Sequence, residues 1–137
     1  MARSKLSSRF DLSLVPPAPD LSFECLLWSQ EFTCVAGIDE AGRGALAGPV
    51  VAAALVLPAD TAITDHLPGV RDSKQMTPSQ REHWAAEIKR QSVSWAVGKT
   101  SPQEIDMIGI LPATRLAAQR ALDLLDLAVD HLLLDYL

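Results

Sequence analysis

Cysteine is nearly absent from this chain. Cys25 and Cys34 are the two that its 137 residues contain, and their spacing makes neither a zinc site nor a disulfide framework. Histidine is equally sparse: His66, His83 and His131 share no ligand spacing, so a histidine-based metal centre is not encoded. No apolar run is long enough to span a bilayer. The opening Met1-Ala-Arg-Ser-Lys-Leu6 is charged but is not followed by the continuous apolar stretch of a secretory leader. Aromatic residues make up 5% of the chain; Trp84 and Trp95 fall on expected core faces, where packing is their ordinary role rather than stacking on bases. Positive charge is short as well. The formal net charge of −5, taken alone, speaks against a protein held to nucleic acid by a broad basic surface. These absences leave a membrane-free chain in a reducing cytoplasm. At 48% hydrophobic residues it is a folded one, of a size that suits a single domain.

The charge that is present is unevenly placed. Residues 71–100 carry six basic and three acidic groups, a net +3, whereas residues 1–70 and 101–137 are each at −4. A basic middle between acidic flanks suits a phosphate track beside a cation site. Ordinary surface scatter explains the same counts equally well.

The chain is organised around Val35-Ala-Gly-Ile-Asp-Glu-Ala-Gly-Arg-Gly-Ala-Leu-Ala-Gly-Pro49. An apolar run ends in two acids, Asp39 and Glu40. A glycine-rich turn with Arg43 inside it follows, and a second apolar run, Pro49 to Leu57, leaves that turn. Strand, paired carboxylates, turn and strand place negative charge and exposed backbone N–H groups at one tip; cations seek the first and phosphates the second. On spacing alone, a glycine-rich hairpin with a surface arginine remains an equal alternative.

Around this centre the pattern predicts a loose N-terminal arm over 1–21 and one domain over 22–137. A short helix starts near Ser22, with Asp20 or Ser22 as its cap. Strands cover Thr33 to Asp39 and Pro49 to Leu57, antiparallel because so short a turn joins them. Residues 58–72 read as a loop. Thr77-Pro-Ser-Gln80 is a capping box with proline at the first helical position, opening a helix to about Arg90 with Trp84, Ala85 and Ile88 inward. Ser92 to Thr100 alternates as a strand, with Val93, Trp95 and Val97 on the expected core face. Ser101-Pro-Gln-Glu104 is a second capping box. Gly109 and Pro112 break that helix, and a fresh one runs to about Leu127 with Ala113, Leu116, Ala117, Ala121, Leu124 and Leu125 buried. His131 to Leu137 reads as a buried strand that carries Asp135. A strand after a long helix predicts parallel pairing through a right-handed crossover.

The run GIDEAGRGALAGPVVAAALVLP (37–58) resembles the signature of ribonuclease HII, the family that nicks RNA embedded in DNA duplexes. That family usually has proline where Ala45 stands. Asp72-Ser-Lys74 ahead of a helix, Glu24 in a short first helix, and the segment from Glu104 through Thr114 to Ala121 are similar as well. The resemblance thus reaches from about Glu24 to the last residues. It implies an α/β fold, a ribonuclease H-like mixed sheet flanked by helices and incomplete at its C-terminal side, in which Asp39 and Asp135 end adjacent strands.

The resemblance also implies the chemistry. Asp39, Glu40 and Asp135 would be both the catalytic and the metal-holding residues for Mg²⁺ or Mn²⁺, with Asp39 shared between two ions. Such ions activate a water and neutralise the leaving oxygen. Gly42, Arg43 and Gly44 would bind substrate: the glycines let backbone approach the sugar and read its 2′-hydroxyl, and Arg43 grips a phosphate. Ser73 and Lys74 would add backbone contacts. The implied partner is an RNA–DNA hybrid or ribonucleotide-containing duplex DNA, met by a monomer in the cytoplasm.

Family members continue beyond the position of Leu137 and carry there a further metal-binding aspartate and a junction-sensing tyrosine, a role that does not transfer to Tyr136. The chain therefore reads as an N-terminal, C-terminally truncated portion that cleaves weakly or not at all by itself. A catalytically inactive nucleic-acid-binding remnant of the same fold is the alternative. An unrelated nucleotide-binding protein is disfavoured, because Gly42-Arg-Gly44 leads into a strand and not a helix.

Overall fold

The computed structural model describes residues 18–135. Residues 1–17 of the expected arm, together with Tyr136 and Leu137, lie outside the described residues. The elements are α1 (Ser22–Trp28), β1 (Val35–Ala41), β2 (Val50–Val56), α2 (Ile63–His66), a 3-10 turn (Ser73–Gln75), α3 (Pro78–Gln91), β3 (Ser94–Thr100), α4 (Pro102–Ile108), α5 (Ile110–Asp123) and β4 (His131–Leu134). The strands form one sheet in the order β3-β2-β1-β4. β1 and β2 are antiparallel, as are β2 and β3, and β4 runs parallel to β1. The expected antiparallel pair and the parallel crossover are both present, and the mixed sheet flanked by helices has the ribonuclease H-like layout.

Local chemistry sets the helix boundaries. Both capping boxes form: the Thr77 hydroxyl accepts from the Gln80 N–H while the Gln80 side chain takes the Thr77 N–H, and Ser101 and Glu104 repeat the arrangement. Gly109, at φ +84°, ends α4 and begins α5, a backbone turn that L-residues with a Cβ rarely adopt. α1 has no side-chain cap on Leu21; Asp20 instead accepts from the Ser22 N–H and hydroxyl at 2.9 and 2.7 Å. The loop expected over 58–72 contains the short helix α2.

The Ser101–Glu104 box is tied to the rest of the fold by Arg120. Its guanidinium donates to Glu104 at 2.6 and 3.1 Å and to the Lys99 carbonyl at 2.8 Å, joining α4, α5 and β3. The Arg120 hydrogen bond first, then the Ser101 N–H and hydroxyl, hold the Glu104 carboxyl down to about 2 from an ordinary 4.5. A carboxyl depressed in the folded state contributes stability above its unfolded pKa and loses it as pH falls through the folded one. Glu104→Gln is therefore expected to remove part of the acid-induced fall in stability between about pH 4.5 and 2. Urea midpoints across that window would show it, and parallel pH profiles for the two proteins would count against the linkage.

The core lies between α5 and one face of the sheet. Ala36, Ile38, Val50, Ala52, Ala54, Val56 and Ala96 pack against Ala117, Ala118, Ala121 and Leu125. These are small residues, and they let the helix lie very close. A Cβ on Gly98 would come within 2.1 Å of the Ala117 carbonyl oxygen and 2.4 Å of the Ala121 nitrogen.

That close approach inverts the expected facing of β3. Ser94, Ala96, Gly98 and Thr100 face α5, while Val93, Trp95 and Val97 are exposed at 57%, 44% and 46%. The alternation was legible, but the small face is the packed one because a helix this near leaves no room for tryptophan. Trp95 instead lies under Lys89, whose Nζ sits 4.5 Å from the ring centroid. Other expectations shift less. In α3, Trp84 and Ile88 are half-buried and Ala85 is exposed. In α5, Thr114 and Ala118 are buried, Leu116 is half-buried and Leu124 is exposed. β4 is expected to be buried, but Leu132 and Leu134 are exposed: β4 lies at the edge of the described sheet, and α5 lies over β3 and β2.

Candidate active site

The register of β1 and β4 builds the site. The parallel ladder ends at the pair Ile38 and Leu134, and Asp39 and Asp135 are the next residues along the two chains, Asp39 still within β1 and Asp135 just past the end of β4. Asp130 fixes that register. Its carboxylate accepts from the Thr33 and Cys34 N–H groups at 3.1 and 2.9 Å, and its own N–H donates to the Cys34 carbonyl at 2.9 Å. An aspartate directly before a strand was the available signal, since such residues bond neighbouring backbone readily.

Asp39 is exposed and Glu40 half-buried, as successive strand residues on opposite faces must be. The Glu40 N–H donates to Asp39 Oδ1 at 2.8 Å and orients that carboxylate. Glu40 is drawn the other way, to Arg43, whose Nη1 lies 3.3 Å from Oε1. Among the described residues no three His, Cys, Asp or Glu side chains converge closely enough to hold a metal ion. Asp39, Glu40 and Asp135 thus do not form such a side-chain cluster. The alternating facing of 39 and 40 and the Arg43 pair account for that. The donors themselves are carboxylate oxygens without thiolate or imidazole. They fit a hard divalent ion that keeps several of its waters and needs only one or two carboxylates.

Of the three glycines between β1 and β2, Gly42, Gly44 and Gly48, the first two differ in what the fold requires of them. Gly42 has φ +91° and a Cβ there would meet the Pro49 carbonyl oxygen at 2.4 Å, so the fold itself requires it. Gly44 has room for a Cβ and no positive φ. Nothing in the described fold demands glycine at 44.

Ser73 and Lys74 lie on the 3-10 turn ahead of α3, and both are exposed. Asp72 accepts the Lys74 N–H at 2.9 Å. Arg81 donates to the Ser73 and Met76 carbonyls at 3.1 and 2.7 Å, a role with no signal in the local sequence pattern. An arginine in the first turn of a helix opposes the helix dipole, and here it serves as a clamp that holds the turn to α3.

A mixed sheet in this strand order, with acids at the ends of its parallel pair and a glycine–arginine turn beside them, defines a protein of the ribonuclease H-like class. The family model for ribonuclease HII matches residues 36–137, and the chain belongs to the ribonuclease HII family. It is 51% identical over 117 residues to the ribonuclease HII of Synechococcus sp. (strain JA-3-3Ab), covering 85% of this chain and 52% of that one. It is 47% identical over 119 residues to the ribonuclease HII of Dehalococcoides mccartyi (strain ATCC BAA-2266 / KCTC 15142 / 195), covering 87% and 56%. The crystal structure of the ribonuclease H2 from Pyrococcus horikoshii OT3 superposes with a TM-score of 0.59 at 34% identity, over 74% of this chain and 49% of that one. The chain spans about half the length of the curated relatives it matches. No helix among the described residues is long and apolar enough to cross a membrane.

Proposed function

We propose that the chain carries the metal-holding edge of an endonuclease that hydrolyses the RNA strand of RNA–DNA hybrids and cuts at ribonucleotides embedded in duplex DNA. Its products would carry 3′-hydroxyl and 5′-phosphate ends. Residues 22–137 form the catalytic domain of this reading. It acts as a cytoplasmic monomer in ribonucleotide removal during DNA repair and replication. The observation that carries the reading is the parallel β1–β4 ladder, whose last pair, Ile38 and Leu134, directly precedes Asp39 and Asp135 in a chain of this family.

Asp39, Glu40 and Asp135 would hold Mg²⁺ or Mn²⁺. Bound there, divalent ions supply an activated water and neutralise charge on the leaving oxygen. The protein's own groups do the rest. The Glu40 N–H fixes the rotamer of Asp39. Gly44 lets the turn's backbone N–H groups reach the sugar and recognise a 2′-hydroxyl, the group that separates RNA from DNA. Arg43 takes a phosphate oxygen through a charge-assisted hydrogen bond. Ser73 and Lys74, on a turn braced by Asp72 and Arg81, add contacts to the strand's backbone.

The test is a cleavage and binding assay on a DNA duplex containing one ribonucleotide, with Mg²⁺ or Mn²⁺. It is run on this chain and on this chain joined to the portion of the Synechococcus relative that it does not span. Metal-dependent cutting at the ribonucleotide is expected from the joined protein, with little from the chain alone. Binding without cutting by either protein would favour a non-catalytic nucleic-acid-binding remnant, and absence of both would overturn the reading.

A further inference from the structure

Glu40 is claimed by two cations. Its carboxylate is assigned above to a divalent ion, yet its Oε1 lies 3.3 Å from Arg43 Nη1. The two side chains are only 18% and 31% exposed, so this is not a fully solvated surface pair of the kind that contributes nothing. Arg43 also sits three residues on, across the turn that Gly42 opens at φ +91°. One ion pair therefore links the carboxylate edge to the substrate-binding turn.

A guanidinium and a hydrated divalent ion repel each other, and both cannot take the same carboxylate oxygen at full strength. We propose that Arg43 is an exchange residue: it holds Glu40 as a stand-in cation until a divalent ion takes that carboxylate, and binding of the ion releases the guanidinium from Glu40 toward a substrate phosphate. The proposal rests on the metal-dependent reading given above. Because coupling is reciprocal, whatever strengthens the Arg43–Glu40 pair must weaken ion binding by the same factor.

The experiment is Mn²⁺ binding to the chain, read from the electron paramagnetic resonance of the free ion. The proteins compared are the unmodified chain, Arg43→Gln, Arg43→Lys and Asp39→Asn. Arg43→Gln is expected to bind Mn²⁺ about three- to tenfold more tightly, through loss of one positive charge and of the competitor for Glu40. Arg43→Lys, which keeps the charge but loses the fork geometry, is expected to fall between. In a companion NMR titration with Mg²⁺, the Arg43 side-chain N–H signals are expected to move with the midpoint of ion binding, and to stay still in Asp39→Asn. Equal or weaker Mn²⁺ binding by Arg43→Gln, or Arg43 signals unchanged at saturating Mg²⁺, would overturn the exchange and leave the metal site standing. Absence of any Asp39-dependent Mn²⁺ binding in the unmodified chain would overturn the metal reading and the exchange with it.

Discussion

Gly98→Ala is expected to destabilise the chain by about 2–3 kcal/mol, the upper part of the range for overpacking a filled core. The added methyl would meet the Ala117 carbonyl oxygen at 2.1 Å and the Ala121 nitrogen at 2.4 Å. Both are backbone atoms of α5. A flexible side chain could swing aside, but here the whole helix must lift. Lifting it opens gaps over Ala52, Ala54 and Ala96 across the shared core, and alanine side chains are too short to refill them. For a domain of this size the melting temperature is expected to drop by roughly 8–12 °C. Gly44→Ala is the matched control: it has room for the methyl and no positive φ, so its change is expected to stay within about 0.5 kcal/mol. Urea or thermal unfolding of the two variants side by side decides it, and a Gly98→Ala curve lying on that of the unmodified chain would show that the contact relaxes at no cost.

The same contact marks the limit of what could be read from the sequence. Apart from α2, element types and order are legible because their signals are local: two capping boxes, Gly109 and Pro112 between α4 and α5, and period-2 alternation in β3. Which face of β3 is packed is not a local property. Hydrophobicity alone points Trp95 and Val97 inward, and the decision is made by α5, whose Ala113, Ala117 and Ala121 bring its backbone down onto Gly98. A stripe of alanine and glycine on two elements was the overlooked signal, since small residues on both sides mean close approach. The site divides in the same way. Asp39, Glu40 and the turn were legible because they are contiguous. Asp135 was placed by resemblance and topology. Asp130, which ties β4 to the start of β1, and Arg81, which braces the Ser73–Lys74 turn, were missed because each acts on backbone distant from its own expected element.

Asp39→Asn is expected to lower cleavage by the joined protein about a thousandfold or more, and to weaken Mn²⁺ binding by the chain well over tenfold. Loss of groups that only support a metal ligand already costs about 10–100-fold, and Asp39 is assigned as a ligand itself. The amide keeps the size of the side chain, and its oxygen can still accept the Glu40 N–H that now reaches Oδ1 at 2.8 Å. What it removes is the negative charge. Asp39 is exposed on β1 and outside the α5-facing core, so the folded state should keep its stability within about 0.5 kcal/mol. Asp135→Asn gives the necessary comparison, because Asp135 follows Leu134, the residue paired with Ile38 just before Asp39. If the two positions share one ion, the double variant should lose less than the sum of the single losses in free energy, as residues of one cluster do. Full additivity would mean that the aligned strand ends act independently, and that the parallel register does not bring these two carboxylates to a common ion.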